Sequence, residues 1–115
     1  MLLICRDEEA WGRLSLAEQQ QTYWDTVTLR DELEAKGQHV SSSPLYPASS
    51  ATSVRVRDGK RLVTDGPFAE TREQLGGYMI IDVKNLDEAI NIAGRIPLAR
   101  TSTVEVRPIR EGEPK

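Results

Sequence analysis

Apolar residues open the chain as an almost unbroken run, Leu2-Leu3-Ile4-Cys5, and charge takes over at Arg6 and Asp7. So short a run predicts a first strand over residues 2–6, covered on at least one face. Residues 7–13 read as a polar connection whose large apolar group, Trp11, is placed to pin over the domain or against a second subunit. Ser15-Leu16-Ala17-Glu18 has the spacing of a capping box, in which a hydroxyl and a carboxylate satisfy the free backbone donors at a helix start. From there Leu16, Tyr23, Trp24, Val27, Leu29, Leu33 and Ala35 recur at an imperfect helical spacing. Glu32, Glu34 and Lys36 mark the solvated side, and Gly37 supplies a C-cap.

Residues 39–43 alternate weakly, and Pro44, Pro47 and the run Ala48-Ser49-Ser50-Ala51 then make a loop or an edge excursion. Residues 53–57 alternate cleanly, Asp58-Gly59 is a hairpin turn, and residues 60–64 return. A strand over residues 77–83 follows. Asn85 and Glu88 repeat the capping spacing for a second helix from Leu86 to Arg95, with Leu86, Ala89, Ile90, Ala93 and Ile96 on one face and Pro97 closing it. Residues 103–107 alternate strictly as a last strand, and residues 111–115 are a frayed tail beyond a single domain over residues 1–110.

The order is strand, helix, strand, inserted hairpin, strand, helix, strand: a ferredoxin-like βαββαβ, of the α+β class. It puts two helices on one face of an antiparallel sheet. The opposite face then needs a cover, and a second copy of the chain is the natural one, which predicts a homodimer.

The stretch from Thr64 to Tyr78 departs most from ordinary globular sequence. Asp65-Gly66-Pro67 forces a sharp turn, Glu70 to Glu73 fill a polar loop, and Gly76-Gly77 let the backbone pass close to something before the apolar run Tyr78-Met79-Ile80-Ile81. The segment DGPFAETREQLGGYMIIDVKNLDEAI, with SVRVRDGKRLVT before it and VEVRPI after it, resembles the YCII-related proteins, in the branch known by its Asp-Gly-Pro-Phe core. The resemblance implies a dimeric α+β barrel, sheet against sheet, and admits a regulatory role, since such proteins often accompany an extracytoplasmic-function (ECF) sigma factor. Some YCII-like proteins carry a histidine on the first helix and an aspartate near the end of the second, a pair proposed to act together. The matching positions here hold Thr26 and Arg95, so the resemblance does not bring that chemistry with it.

A formal net charge of -3 with 29% charged residues describes an ordinary surface without the basic stripe that nucleic acids require. The opening apolar run is too short for a membrane span, and the one cysteine, Cys5, reads as a buried small hydrophobe with no disulfide partner. The expectation is a cytoplasmic protein with no nucleic-acid or membrane partner. One His and one Cys make no metal-ligand set, Gly76-Gly77 lacks the lysine of a phosphate loop, and no cofactor is expected.

Asp65 is the strongest candidate for a catalytic carboxylate. Either the turn points it into a pocket between helix and sheet, where burial raises its pKa toward use as a base or anchor, or it accepts backbone donors within its own loop. His39, the only histidine, lies where a solvated or capping role competes with catalysis. Tyr23, Trp24, Phe68 and Tyr78, with Gly66, Pro67 and Gly77, can line a small-molecule pocket that Arg55 or Arg57 anchors. Alternatively Phe68 and Tyr78 plug the core and the arginines lie on a solvated face. Three functions follow: a dimeric small-molecule-binding or accessory protein, a lyase- or isomerase-type enzyme using Asp65, or a structural dimerisation module.

Overall fold

The computed structural model describes residues 1–114. Strand β1 (Leu2–Asp7) leads into a short helix α1 (Glu8–Gly12) and then the long helix α2 (Leu16–Ala35). β2 (His39–Pro44) follows, then a hairpin of β3 (Thr52–Arg57) and β4 (Lys60–Asp65), then β5 (Glu73–Ile81), α3 (Leu86–Arg95) and β6 (Val104–Val106). Four strands form one antiparallel sheet in the order β2-β5-β1-β6, while β3 and β4 pair with each other as a separate two-stranded sheet. This is the expected ferredoxin-like arrangement with an inserted hairpin.

The local signals explain the helix ends. Ser15 Oγ accepts from the Glu18 N–H and Glu18 Oε1 accepts from the Ser15 N–H, both at 3.1 Å, completing the capping box. At the other end the Gly37 N–H donates to Glu34 O and the Gln38 N–H to Leu33 O, the paired bonds of a Schellman close. Asn85 caps α3 by accepting from the Glu88 N–H at 3.0 Å. Asp58 and Gly59 both have positive φ, as a two-residue type I′ hairpin requires.

Alternation along β1 sends Leu2 and Ile4 under the helices and leaves Leu3 and Cys5 on the other face. Leu2, Ile4 and Met79 of the sheet meet Leu29 and Leu33 of α2, Ile92 and Ala93 of α3, and Ile96 at its C-cap in a single core. The inward face of α3 is thus Ala89, Ile92, Ala93 and Ile96, a strict i, i+3, i+4, i+7 set. Leu86 and Ile90, expected inside, are exposed. Trp24 is exposed as well, standing edge-on to Tyr23 with ring centroids 5.2 Å apart. Cys5 is only half-buried, because it lies on the sheet face without helices. Burial still pushes its thiol pKa up, with Glu73 and Glu105 adding to the effect.

The largest departures from the sequence reading are at two places, while β6 is shorter than expected, Val104–Val106. The connection after β1 holds a helical turn, capped by Asp7 Oδ1 accepting from the Ala10 N–H at 3.0 Å. β5 begins at Glu73 rather than at Gly77, because pairing with Arg6 and Asp7 carries the ladder through both glycines, with an irregularity at Ile4/Cys5.

The hairpin stands away from the core. Val54, Val56, Leu62 and Val63 are all exposed, and the molecule measures 48 × 46 × 18 Å. Its radius of gyration, 16.2 Å, exceeds the roughly 13 Å expected of a compact chain of this length.

Candidate functional site

The gap between α2 and the sheet contains a cavity of about 150 Å³. Its floor is the inward face of the sheet, with Ile4 and Arg6 from β1, Ser42 from β2 and Gly76 to Met79 from β5. Its wall is one side of α2, presenting Thr22, Tyr23, Thr26, Val27 and Arg30, and Trp11 and Leu98 line it too. Arg6 continues the inward alternation of Leu2 and Ile4, so the register that builds the core also delivers a guanidinium to the cavity. That guanidinium lies over the Trp11 ring at 5.0 Å from its centroid, within cation–π range.

The two glycines of β5 make the floor possible. A Cβ on Gly76 would sit 3.2 Å from Arg6 Cβ and 3.5 Å from its Nε, so the bare backbone lets the arginine lie flat. A Cβ on Gly77 would come within 3.0 Å of Ser43 O, so β2 approaches β5 only because that position has no side chain. The expected close approach is therefore real and has two neighbours.

A neighbouring recess of about 240 Å³ shares Arg6, Trp11, Thr22 and Leu98 with the cavity, so the two spaces border the same residues. Asp7 borders that recess and ties three segments together. Its Oδ1 caps α1, its Oδ2 accepts from Arg72 Nε at 3.1 Å, and its N–H donates to Ser102 Oγ. The Ala10 N–H and then Arg72 hold its carboxyl below the usual range. A wider depression, about 740 Å³, opens at the far end of the sheet between Leu86 and Ile109. Its charges, Asp82, Lys84, Arg107 and Glu111, are of both signs and partly belong to the terminal segment.

Of the residues expected at a pocket, Tyr23, Gly77 and Tyr78 line the cavity. Trp24, Arg55, Asp65, Gly66, Pro67 and Phe68 do not. Asp65 ends β4 opposite Thr52 and is exposed, so its carboxylate does not enter the helix–sheet gap. Gly66, at φ 96°, donates its N–H to Ala51 O and accepts from Ser53 Oγ, which closes the neck of the hairpin. Phe68 is 83% exposed, neither in the cavity nor in the core. Arg55 and Arg57 lie on the exposed hairpin. His39 bridges Glu34 and Ser42, its ring nitrogens 3.3 and 2.8 Å from their oxygens.

Sequence reasoning passed over Arg6, Arg30, Thr22 and Ser42. The signal was present for Arg6 in the Leu2, Ile4, Arg6 alternation, and for Arg30 in its place one turn beyond Thr26. Thr26, where the resemblance would place a histidine, does face the cavity. Arg95, where it would place an aspartate, instead pairs with Glu32 across α2 and α3. Among the described residues no three His, Cys, Asp or Glu side chains gather as a metal site would need.

A family model described as the YCII-related domain matches residues 1–113. The chain belongs to the YCII-related family. An uncharacterized protein of Rhizobium meliloti (strain 1021) is 34% identical over 110 residues, an alignment covering 94% of this chain and 89% of that protein. The YCII-related match spans the sheet, both long helices and the hairpin, so cavity and exposed face alike lie within the family domain. No helix of the described residues is long and apolar enough to cross a membrane.

Proposed function

We propose that this YCII-related chain is a homodimeric small-molecule-binding or accessory protein whose ligand sits between α2 and the sheet. The observation that carries the reading is the cavity itself. It is apolar over most of its wall, roofed by one helix, and supplied with a few convergent polar groups from Arg6, Thr22, Thr26, Arg30 and Ser42. Among the described residues neither a carboxylate nor an imidazole lines it. Proton transfer by a resident base therefore has less support than binding, and Asp65 is left to serve the hairpin. Filling the space with Thr26→Trp should abolish the thermal stabilisation that a bound fragment gives the parent protein. Equal stabilisation of parent and variant by every fragment contradicts the reading.

The homodimer rests on the shape of the single chain. Leu3, Leu75 and Ile80 lie on or beside the sheet face without helices, and the apolar side chains of the hairpin and Phe68 face water as well. A second copy laid on that face removes this apolar surface from water, each Å² contributing about 25 cal/mol. The expected mass in dilute solution is twice that of one chain. A monomer at micromolar concentration contradicts it. The unpaired Cys5 supports a reducing, cytoplasmic setting. The family resemblance supports a regulatory role beside an ECF sigma factor.

A further inference from the structure

We propose that the ligand is a small organic acid, its carboxylate taken by Arg6 and its apolar body housed in the cavity. This deepens the binding reading above and rests on it. The charged residues lining the cavity are Arg6 and Arg30, both cationic. Among the described residues the Arg6 guanidinium has no ion pair and no hydrogen bond; its neighbours are the Trp11 ring and the bare backbone of Gly76. The Nε atoms of Arg6 and Arg30 are buried without a partner, and Arg30 meets one exposed carboxylate, Asp31, at 3.2 Å.

A buried Nε–H set against an apolar wall without an acceptor is unfavourable, and a ligand carboxylate supplies both the acceptor and a counter-charge for the half-buried arginine. Arginine's planar fork matches a carboxylate with two parallel hydrogen bonds, and Trp11 together with Gly76 restricts the plane of that fork. Volume then selects the body of the ligand: an apolar space of about 150 Å³ is the size that accepts a single benzene ring.

Benzoate and benzamide test this directly, since they share size and shape and differ in charge. Each is titrated into the full chain while the amide resonances of Thr26, Gly76 and Gly77 are followed. Benzoate is expected to bind about tenfold more tightly, or better, than benzamide. Arg6→Gln should remove that preference, bringing the affinities of the two probes together, and Arg6→Lys should retain part of it. Equal binding of the two probes by the parent protein overturns the inference and needs no variant. So does a benzoate preference that survives Arg6→Gln in a protein with the parent's circular dichroism spectrum. If both probes shift these resonances equally, the small-molecule site stands and its acid specificity falls; if neither does at millimolar concentration, both fall.

Discussion

In the four-stranded sheet Leu2 and Met79 are sealed beneath α2 and α3, whereas in the β3–β4 hairpin Val54, Val56, Leu62 and Val63 all face water. Both regions are built from alternating β-strands, and the difference lies in what each has to pack against. The sheet is given two helices by the same chain. The hairpin is given none, and the chain is correspondingly broad and flat, 18 Å in its thinnest dimension. Alternation in a sequence therefore says that a strand has an apolar side, and it does not say who covers it.

The largest effects should separate these regions. Leu33→Ala opens a hole in the sealed core and should lower the unfolding free energy by about 2–5 kcal/mol. Leu62→Ala on the hairpin should move it by no more than about 0.5 kcal/mol at concentrations where the chain is single. It should instead raise the dissociation constant of the proposed homodimer. Urea unfolding at low concentration and sedimentation at higher concentration read the two quantities, and a large loss for Leu62→Ala in the single chain would erase the contrast.

Gly77→Ala comes next, because its Cβ would meet the backbone oxygen of Ser43 at 3.0 Å, and backbone yields less readily than a side chain. An overpacking loss of about 1–3 kcal/mol is expected. Gly76→Ala meets Arg6 at 3.2 Å and should cost less stability while disturbing the cavity more. Thermal unfolding ranks the pair, and a more damaging Gly76→Ala reverses the account of β5.

How far the fold was legible follows from which signals were local. Ser15 with Glu18, Asn85, and Asp58-Gly59 act within a few residues, so the helix starts and the hairpin turn were placed correctly from sequence. The start of β5 depends on pairing with Arg6 and Asp7, far away in the chain, and its glycines and charges hide it. α1 was missed because five residues give no periodicity. For the site, the Asp65-Gly66-Pro67 turn drew attention by its composition, yet its place at the hairpin neck is a tertiary fact. Arg6 looked like the charged end of a strand, although the alternation from Leu2 and Ile4 already assigned it inward.

Gly66→Ala tests that neck. At φ 96° an L side chain is strained even though nothing lies within 4 Å of the added Cβ, so a loss of about 1–2 kcal/mol is expected. Pro67→Ala should cost less, since proline acts there mainly on the unfolded chain. Equal melting temperatures would mean that the neck holds no special conformation.

The smallest effect is on acid stability. The hydrogen bond from Arg95 holds the Glu32 carboxyl below its usual range, as the Ala10 N–H and Arg72 do for Asp7. A carboxyl lowered by folding contributes stability above its unfolded pKa and loses it as pH falls through the folded value, so both contributions fade below about pH 4. Glu32 and Arg95 are largely exposed, and the change should be slight. Arg95→Gln should flatten the fall in melting temperature on acidification, and an unchanged profile would remove Glu32 from the explanation.

The claim that the helix–sheet gap, and not the Asp-Gly-Pro-Phe turn, receives the ligand is tested most directly by mapping amide shifts as small fragments are titrated into the protein. Thr22, Thr26, Arg30, Ser42, Gly76 and Gly77 are expected to respond while Asp65, Gly66 and Phe68 remain still. Shifts centred on residues 65–68 with the gap unmoved would contradict it.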